Sequence, residues 1–311
     1  MFKISGINRA SDPGYRACRL CPRECGVDRT AGQTGCCGMY ALPSAARAAL
    51  HHWEEPCISG TAETGYGGSG TVFFSGCNLS CVFCQNREIS HGRVGSDLTA
   101  DRLAEIFLRL QSEGAHNINL VTAVMFLPDI VRSILIAKSI GLTVPVIYNS
   151  GGYESARALR SLDGLIDIYL PDMKFFAPGV SSKMCKAPDY FERCAEALAE
   201  MVRQVGAPRF SRAGLLQSGV IVRHLMLPGY LFDSRKVLEY LTETYGNTIF
   251  ISLMNQYTPP AEPVPGAPNH ALPPAHYEAM IRYLISRDQE NAYIQGDGTC
   301  SESFVPRWDG I

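Results

Sequence analysis

From Thr71 onward the chain alternates short β-rich apolar runs with longer amphipathic stretches, and no other feature narrows its fold as much. Such repeats lay successive strands side by side in a parallel sheet, because a right-handed crossover helix returns the chain to the same edge. The expected strands are Thr71–Phe74, Ile118–Thr122, Val144–Tyr148, Ile166–Leu170, Val220–Leu225 and Thr248–Leu253, with Ala292–Gln295 as a further one. Between them Thr99 stands where it can cap a helix whose Leu103, Ile106, Phe107 and Leu110 share a face. Pro128 marks a helix start, and Gly141, Gly164, Gly206 and Gly246 fall at helix ends. Six to seven such units predict an α/β fold. Its form is an open (β/α)6 partial TIM barrel, with ligands gathered at the carboxyl ends of the strands.

Directly after the first expected strand comes Cys77-Asn78-Leu79-Ser80-Cys81-Val82-Phe83-Cys84, with C-x3-C-x2-C spacing. Three thiolates can hold three irons of a 4Fe-4S cluster and leave the fourth open to a ligand, which makes a reactive centre rather than an electron relay. The C-x2-C pair alone would serve a zinc knuckle or buried free thiols as well. Against those readings, the nearest histidine, His91, follows a polar stretch, and no fourth ligand stands close by at zinc-finger spacing.

Twelve cysteines in a chain of 311 residues are more readily explained by metal ligation than by disulfides if the compartment is reducing. A cytoplasmic location is expected: the start lacks the apolar stretch of a signal peptide, and no later run is long enough to span a membrane. The net charge of -2 gives no basic footprint for nucleic acid or an anionic membrane, although a nucleic-acid substrate stays open. The expected organisation is a cysteine-rich metal-binding segment over 1–60 and a barrel over 61–311. In the first, Cys18, Cys21, Cys25, Cys36 and Cys37 crowd a short polar stretch that is too small to fold by burial alone. Cys18, Cys21, Cys25 and Cys36 would supply the four thiolates of a zinc site or of a second 4Fe-4S cluster. Cys185 and Cys194 read as buried small hydrophobes, and Cys57 and Cys300 are undecided. Residues 60–70 read as a glycine-rich connector. The proline-rich 258–274 is a lid over the rim or a surface excursion without a role.

Several segments together carry a resemblance. They are Cys-Arg-Leu-Cys-Pro-Arg-Glu-Cys-Gly-Val-Asp-Arg (18–29), Phe-Phe-Ser-Gly-Cys-Asn-Leu-Ser-Cys-Val-Phe-Cys-Gln-Asn (73–86), Tyr-Asn-Ser-Gly-Gly-Tyr-Glu (148–154), Asp-Ile-Tyr-Leu-Pro-Asp-Met-Lys (167–174), Val-Arg-His-Leu-Met-Leu-Pro-Gly (222–229) and Ser-Leu-Met-Asn-Gln-Tyr-Thr-Pro (252–259). The chain resembles radical S-adenosylmethionine (radical SAM) enzymes, in the branch similar to pyruvate formate-lyase activating enzyme. More narrowly, it is similar to a poorly characterised subgroup with an N-terminal cysteine cluster.

The resemblance implies a 4Fe-4S cluster on Cys77, Cys81 and Cys84. It also implies S-adenosylmethionine (SAM) on the open iron, a 5′-deoxyadenosyl radical as the reactive product, and a flavodoxin- or ferredoxin-like electron donor. Phe83 takes the aromatic position near adenine, with a tucked core residue as the alternative. Asp172 and Lys174 match an Asp-x-Lys motif that would address the SAM amine and carboxylate. Asn149 and Ser150 would bind methionine or ribose, Arg223 would anchor a carboxylate, and Asn255 would bond ribose or adenine. His224 reads as a core residue. Many relatives carry Gly-Gly-Glu at the end of the second strand, whereas here Leu120-Val121-Thr122-Ala123 has no acid, so Thr122 or backbone carbonyls would hold the amine. Three functions remain open: activation of a glycyl-radical partner protein, radical modification of another protein, peptide or small molecule, and a non-catalytic metal scaffold.

Overall fold

The computed structural model describes residues 13–65, 67–260, 262–296, 308 and 311, so Cys300 lies outside the described residues. Among the described residues ten strands form one sheet system: β1 (Ser44–His51), β2 (Ser69–Phe74), β3 (Ser96–Asp97), β4 (Ile118–Val121), β5 (Val146–Ser150), β6 (Ile168–Pro171), β7 (Arg209–Phe210), β8 (Leu216–Leu225), β9 (Phe250–Met254) and β10 (Ala292–Ile294). Their order is β10-β9-β8-β6-β5-β4-β2-β1-β3, with β7 paired to β8. From β2 to β10 the main run is parallel; β1 joins β2 antiparallel, and β3 joins β1 antiparallel. The two ends of this order do not pair, so the barrel is open, as expected.

Local chemistry explains the helices that cover it. Thr99 accepts the N–H of Arg102 at 3.1 Å and caps the helix Ala100–Ser112, which buries Leu103, Ile106, Phe107 and Leu110 on one face. Pro128 lies in the first turn of Leu127–Ser139, where its missing N–H costs nothing. Gly206 ends Tyr190–Val205 at φ +65°, a conformation that strains residues bearing a Cβ. Strands β2 and β6 are buried along their whole length, as helix-covered parallel strands should be.

The sheet begins before the expected 60/61 boundary, because β1 pairs with β2 from Ala45↔Phe74 to His51↔Ser69. The cysteine-rich segment is therefore continuous with the barrel's edge. Among the described residues no helix is long and apolar enough to cross a membrane.

Candidate active site at the carboxyl ends of the strands

Strand β2 delivers the chain to the rim, and Gly76 turns it into the cysteine loop at φ +80°. A Cβ there would lie 2.8 Å from the Cys37 carbonyl oxygen and 2.4 Å from the Met39 side chain, so only glycine fits under this cover. The loop is zipped to the end of the helix Pro178–Cys185: the Ser80 N–H donates to Cys185 O at 3.3 Å, and the Val82 N–H to Met184 O at 3.0 Å. The Cys77 sulfur accepts the Leu79 N–H at 3.4 Å, and the Cys84 sulfur lies 3.3 Å from Ser90 Oγ.

The Cys77, Cys81 and Cys84 thiols stand within electrostatic reach of one another. Burial pushes Cys77 and Cys84 up, and at Cys81 a hydrogen bond with the Cys185 thiol acts first and burial second. Such a pocket disfavours bare thiolates, and a cationic metal core reverses that preference. Three sulfurs on one buried loop, two of them receiving a backbone N–H (Leu79 to Cys77 and Asn86 to Cys84), are the donor set a 4Fe-4S cluster takes. Among the described residues no three Cys, His, Asp or Glu side chains converge at metal-coordinating distance.

Asp172 and Lys174 follow β6, and the Lys174 ammonium is paired with Asp172 Oδ2. Burial alone would lower the Lys174 pKa. Asp172, with the Cys81 and Cys84 thiols, outweighs burial and holds it above the ordinary lysine value. The lysine is thus charged and faces the cysteine loop. The Tyr190 hydroxyl accepts the Lys174 N–H at 3.0 Å and lies 2.8 Å from Gly151 O and 2.9 Å from Asp172 O, tying the ends of β5 and β6 together. Gly152, at φ +80°, allows that approach, since a Cβ would lie 2.0 Å from Asp172 O.

Asn149 and Ser150 end β5, with Ser150 buried and its hydroxyl accepting the Gly152 N–H at 3.3 Å. Beside them Glu154 is wholly buried against the Tyr148 hydroxyl at 3.1 Å, and burial pushes its pKa up to about 8. At the end of β4, where the acidic motif of relatives is missing, Thr122 adopts φ +60° and donates its N–H to Asn149 O at 2.8 Å. A β-branched residue in this region is strained, which is a mark of functional positions.

Arg223 is engaged inside the barrel. Its guanidinium pairs with Glu54 and with Glu55 (Nε to Oε1, 2.9 Å), and the Glu54 Oε1 accepts from Asn119 Nδ2 at 3.0 Å. The carboxylates that Arg223 anchors therefore belong to the chain itself. Phe83 is buried, edge-on to Phe175 with ring centroids 5.9 Å apart. The Asn255 N–H donates to Gln295 Oε1 at 2.9 Å at the end of β9. His224 is fully buried; Nδ1 bonds Met173 O at 2.7 Å, Nε2 has no partner among the described residues, and burial lowers its pKa to about 4. It is neutral and only half satisfied. Residues 258–260 and 262–273 run without regular structure past the rim, where the Tyr257 hydroxyl donates to Pro268 O, and a helix starts at Pro274.

Sequence reasoning overlooked four members of this site: Glu54, Glu55, Glu154 and Cys185. Cys185 is buried as expected, but it touches the Cys81 thiol and is more than a space-filler. Only the Glu in Tyr-Asn-Ser-Gly-Gly-Tyr-Glu carried a signal, since an acid so close to a strand end faces the rim. The N-terminal cysteines gather around one cavity lined by Cys18, Cys21, Cys25, Cys36 and Cys37 together with Arg23 and Arg29.

Comparison with known proteins places these features. The uncharacterized protein MJ0674 of Methanocaldococcus jannaschii is 25% identical over 255 residues, covering 79% of this chain and 67% of the relative. The crystal structure of Streptococcus suis SuiB bound to S-adenosylmethionine is similar with a TM-score of 0.49 and 13% identity, over 72% of this chain and 49% of SuiB. Methylornithine synthase (PylB) is similar with a TM-score of 0.45 and 14% identity, over 70% of this chain and 68% of that one. The chain thus spans about half the length of SuiB. A profile of the radical SAM superfamily matches residues 71–241, more than half of the chain, and takes in the cysteine loop, the Asp172–Lys174 pair and Arg223. The chain belongs to the radical SAM superfamily, whose members cleave S-adenosylmethionine at a 4Fe-4S cluster.

Proposed function

We propose that this chain cleaves SAM reductively and uses the resulting radical to abstract hydrogen from a glycine of a partner enzyme. The observation that carries the first part is the buried rim where three loop thiols face a charged Lys174–Asp172 pair. Cys77, Cys81 and Cys84 would hold three irons. The cluster, when bound, supplies the electron that breaks the sulfonium C–S bond and yields a 5′-deoxyadenosyl radical. Lys174 and Asp172 offer an ammonium and a carboxylate, the complement of the amino acid end of SAM, and binding it exchanges their mutual pair for two pairs with the ligand. Thr122, Asn149 and Ser150 present polar groups to the same rim. Phe83 closes the loop against Phe175 and keeps water from the reacting centre.

The glycine substrate is supported by the Asp-x-Lys motif, and the missing acid after β4 favours keeping radical modification of another protein, peptide or small molecule as the second reading. The reading includes a flavodoxin- or ferredoxin-like donor, a reducing cytoplasmic compartment and a second metal on the N-terminal cysteines. Anaerobic reconstitution followed by dithionite-driven turnover should give 5′-deoxyadenosine with the parent and none with the C77A/C81A/C84A variant. Equal product from both would end the proposal. Deuterium passing from a glycine-labelled partner protein into 5′-deoxyadenosine would distinguish the activase from the second reading.

A further inference from the structure

The cavity between the N-terminal segment and Val124–Met125 brings thiols and guanidinium groups together in a way the radical chemistry leaves unused. We propose that Cys18, Cys21, Cys25 and Cys37 form a tetrathiolate site for one zinc ion, neutralised by Arg23 and Arg29, which pins this segment to the radical-generating loop. The inference rests on the second-metal part of the reading above and is independent of SAM cleavage.

Proximity selects the four sulfurs, which line one cavity although no three of them converge at metal-coordinating distance. Cys37 stands within electrostatic reach of Cys18, Cys21 and Cys25, whereas Cys36 is exposed and faces Cys25. Each of the four sulfurs also has its own donor. The Arg23 N–H serves Cys21, and the Met39 N–H serves Cys37, the same two-residue step twice. The Cys36 N–H reaches the Cys25 sulfur at 3.4 Å, and Arg29 Nη1 lies 3.9 Å from the Cys18 sulfur. Donors of this kind orient thiolates and fix them as ligands. Gly35 leaves the space that the Cys25 sulfur occupies, because a Cβ would come within 2.7 Å of it.

Charge makes the second argument. Arg29 is only 2% exposed, yet its guanidinium bonds the carbonyl oxygens of Met39, Met125 and Tyr40 and no carboxylate among the described residues. Arg23 likewise donates to Asn78 O, Lys186 O and Cys185 O. A buried guanidinium without an anion, as at Arg29, is costly, and the half-buried Arg23 adds a second positive charge beside the same thiols. A zinc ion with four thiolates carries two negative charges, the balance that two arginines require. The cavity holds about 20 Å³, room for roughly one water-sized sphere, so a single ion fits without moving its walls apart, as a cube of four irons would require.

The position gives the site its consequence. Arg23 lies between Cys21 and Cys25, and its Nε donates at 2.9 Å to the carbonyl of Asn78, the neighbour of Cys77. Cys37 and Met39 close over Gly76 on the other side. A metal that fixes these three cysteines therefore fixes one wall of the loop that begins at Cys77.

The test measures zinc, iron and acid-labile sulfide in the full chain carrying C77A/C81A/C84A, purified anaerobically. About one zinc per chain and no iron is expected. Adding C37S should remove the zinc, and adding C36S should leave it. Cobalt(II) replacing the zinc should show the intense visible bands of a tetrahedral tetrathiolate, a readout that stands even if C37S fails to fold. Iron with sulfide in the triple variant, no metal, zinc lost with C36S and kept with C37S, or a cobalt spectrum of fewer than four thiolates would each overturn the inference. A parent chain without iron would instead end the SAM reading and leave the zinc result intact.

Discussion

Arg223→Leu tests whether the barrel interior is held by its internal ion group. The wild-type guanidinium is 12% exposed and faces two carboxylates that are 8% and 7% exposed. Removing it strands two buried negative charges, and breaking such a group costs about 3–5 kcal/mol. A chain of 311 residues has an unfolding entropy of roughly 0.65 kcal/mol/K, from about 2.1 cal/mol/K per residue, so the melting temperature should fall by roughly 5–8 °C at pH 7. The loss should shrink in acid. Burial raises the Glu55 pKa, but the charge and hydrogen bonds of Arg223, with Ser252, outweigh it and hold the carboxyl below its ordinary 4.5. Glu55 therefore adds stability above pH 4.5 that is lost as pH falls through its depressed folded value. Differential scanning calorimetry of the parent, R223L and the apolar-neutral E54Q/E55Q/R223M at pH 7 and pH 4.5 separates these effects. The triple variant should recover most of the loss, because no charge is left unpaired. Equal melting temperatures for R223L and parent at pH 7, or a gap that widens in acid, would refute the reasoning.

Glu154→Gln should remove a pH dependence: burial raises the folded pKa to about 8, so the native state holds a proton that the unfolded chain releases near 4.5. Parent stability should accordingly fall between pH 5 and 8 with a slope of up to about 1.4 kcal/mol per unit that E154Q lacks in urea titrations, and identical slopes would sink the claim. At Thr122 the positive φ predicts that Thr122→Gly is more stable than Thr122→Ala by about 1 kcal/mol, the reverse of the order at an ordinary strand end, as urea midpoints can check. Lys174→Ala should raise the SAM dissociation constant about 10- to 100-fold in anaerobic equilibrium binding while iron content stays at the parent level. Unchanged affinity would remove Lys174 from the binding set.

The parallel barrel and the place of the cysteine loop at its rim were legible because they are written in local patterns. Strand periodicity, the Thr99 cap and the C-x3-C-x2-C loop each depend on residues a few positions apart, and the strands stand within two residues of their expected starts except β8, which begins four earlier. Strand β1 was not legible: Ser-Ala-Ala-Arg-Ala-Ala-Leu-His has little strand preference and is a strand only because β2 offers it an edge. The ion group was hidden for a related reason, since Glu54 and Glu55 lie 169 and 168 positions from Arg223 and nothing near any of them signals the meeting. Cys185 reaches Cys81, and Arg23 and Arg29 meet the N-terminal thiols, only once the helix Pro178–Cys185 and the segment before β1 have packed on the same loop. Sequence by itself determined which chemistry this chain can support, because ligand type and spacing are local. Tertiary structure alone decided which charges are paired and which thiols share a cavity, because burial and long-range contact set the energy of every charged group in the interior.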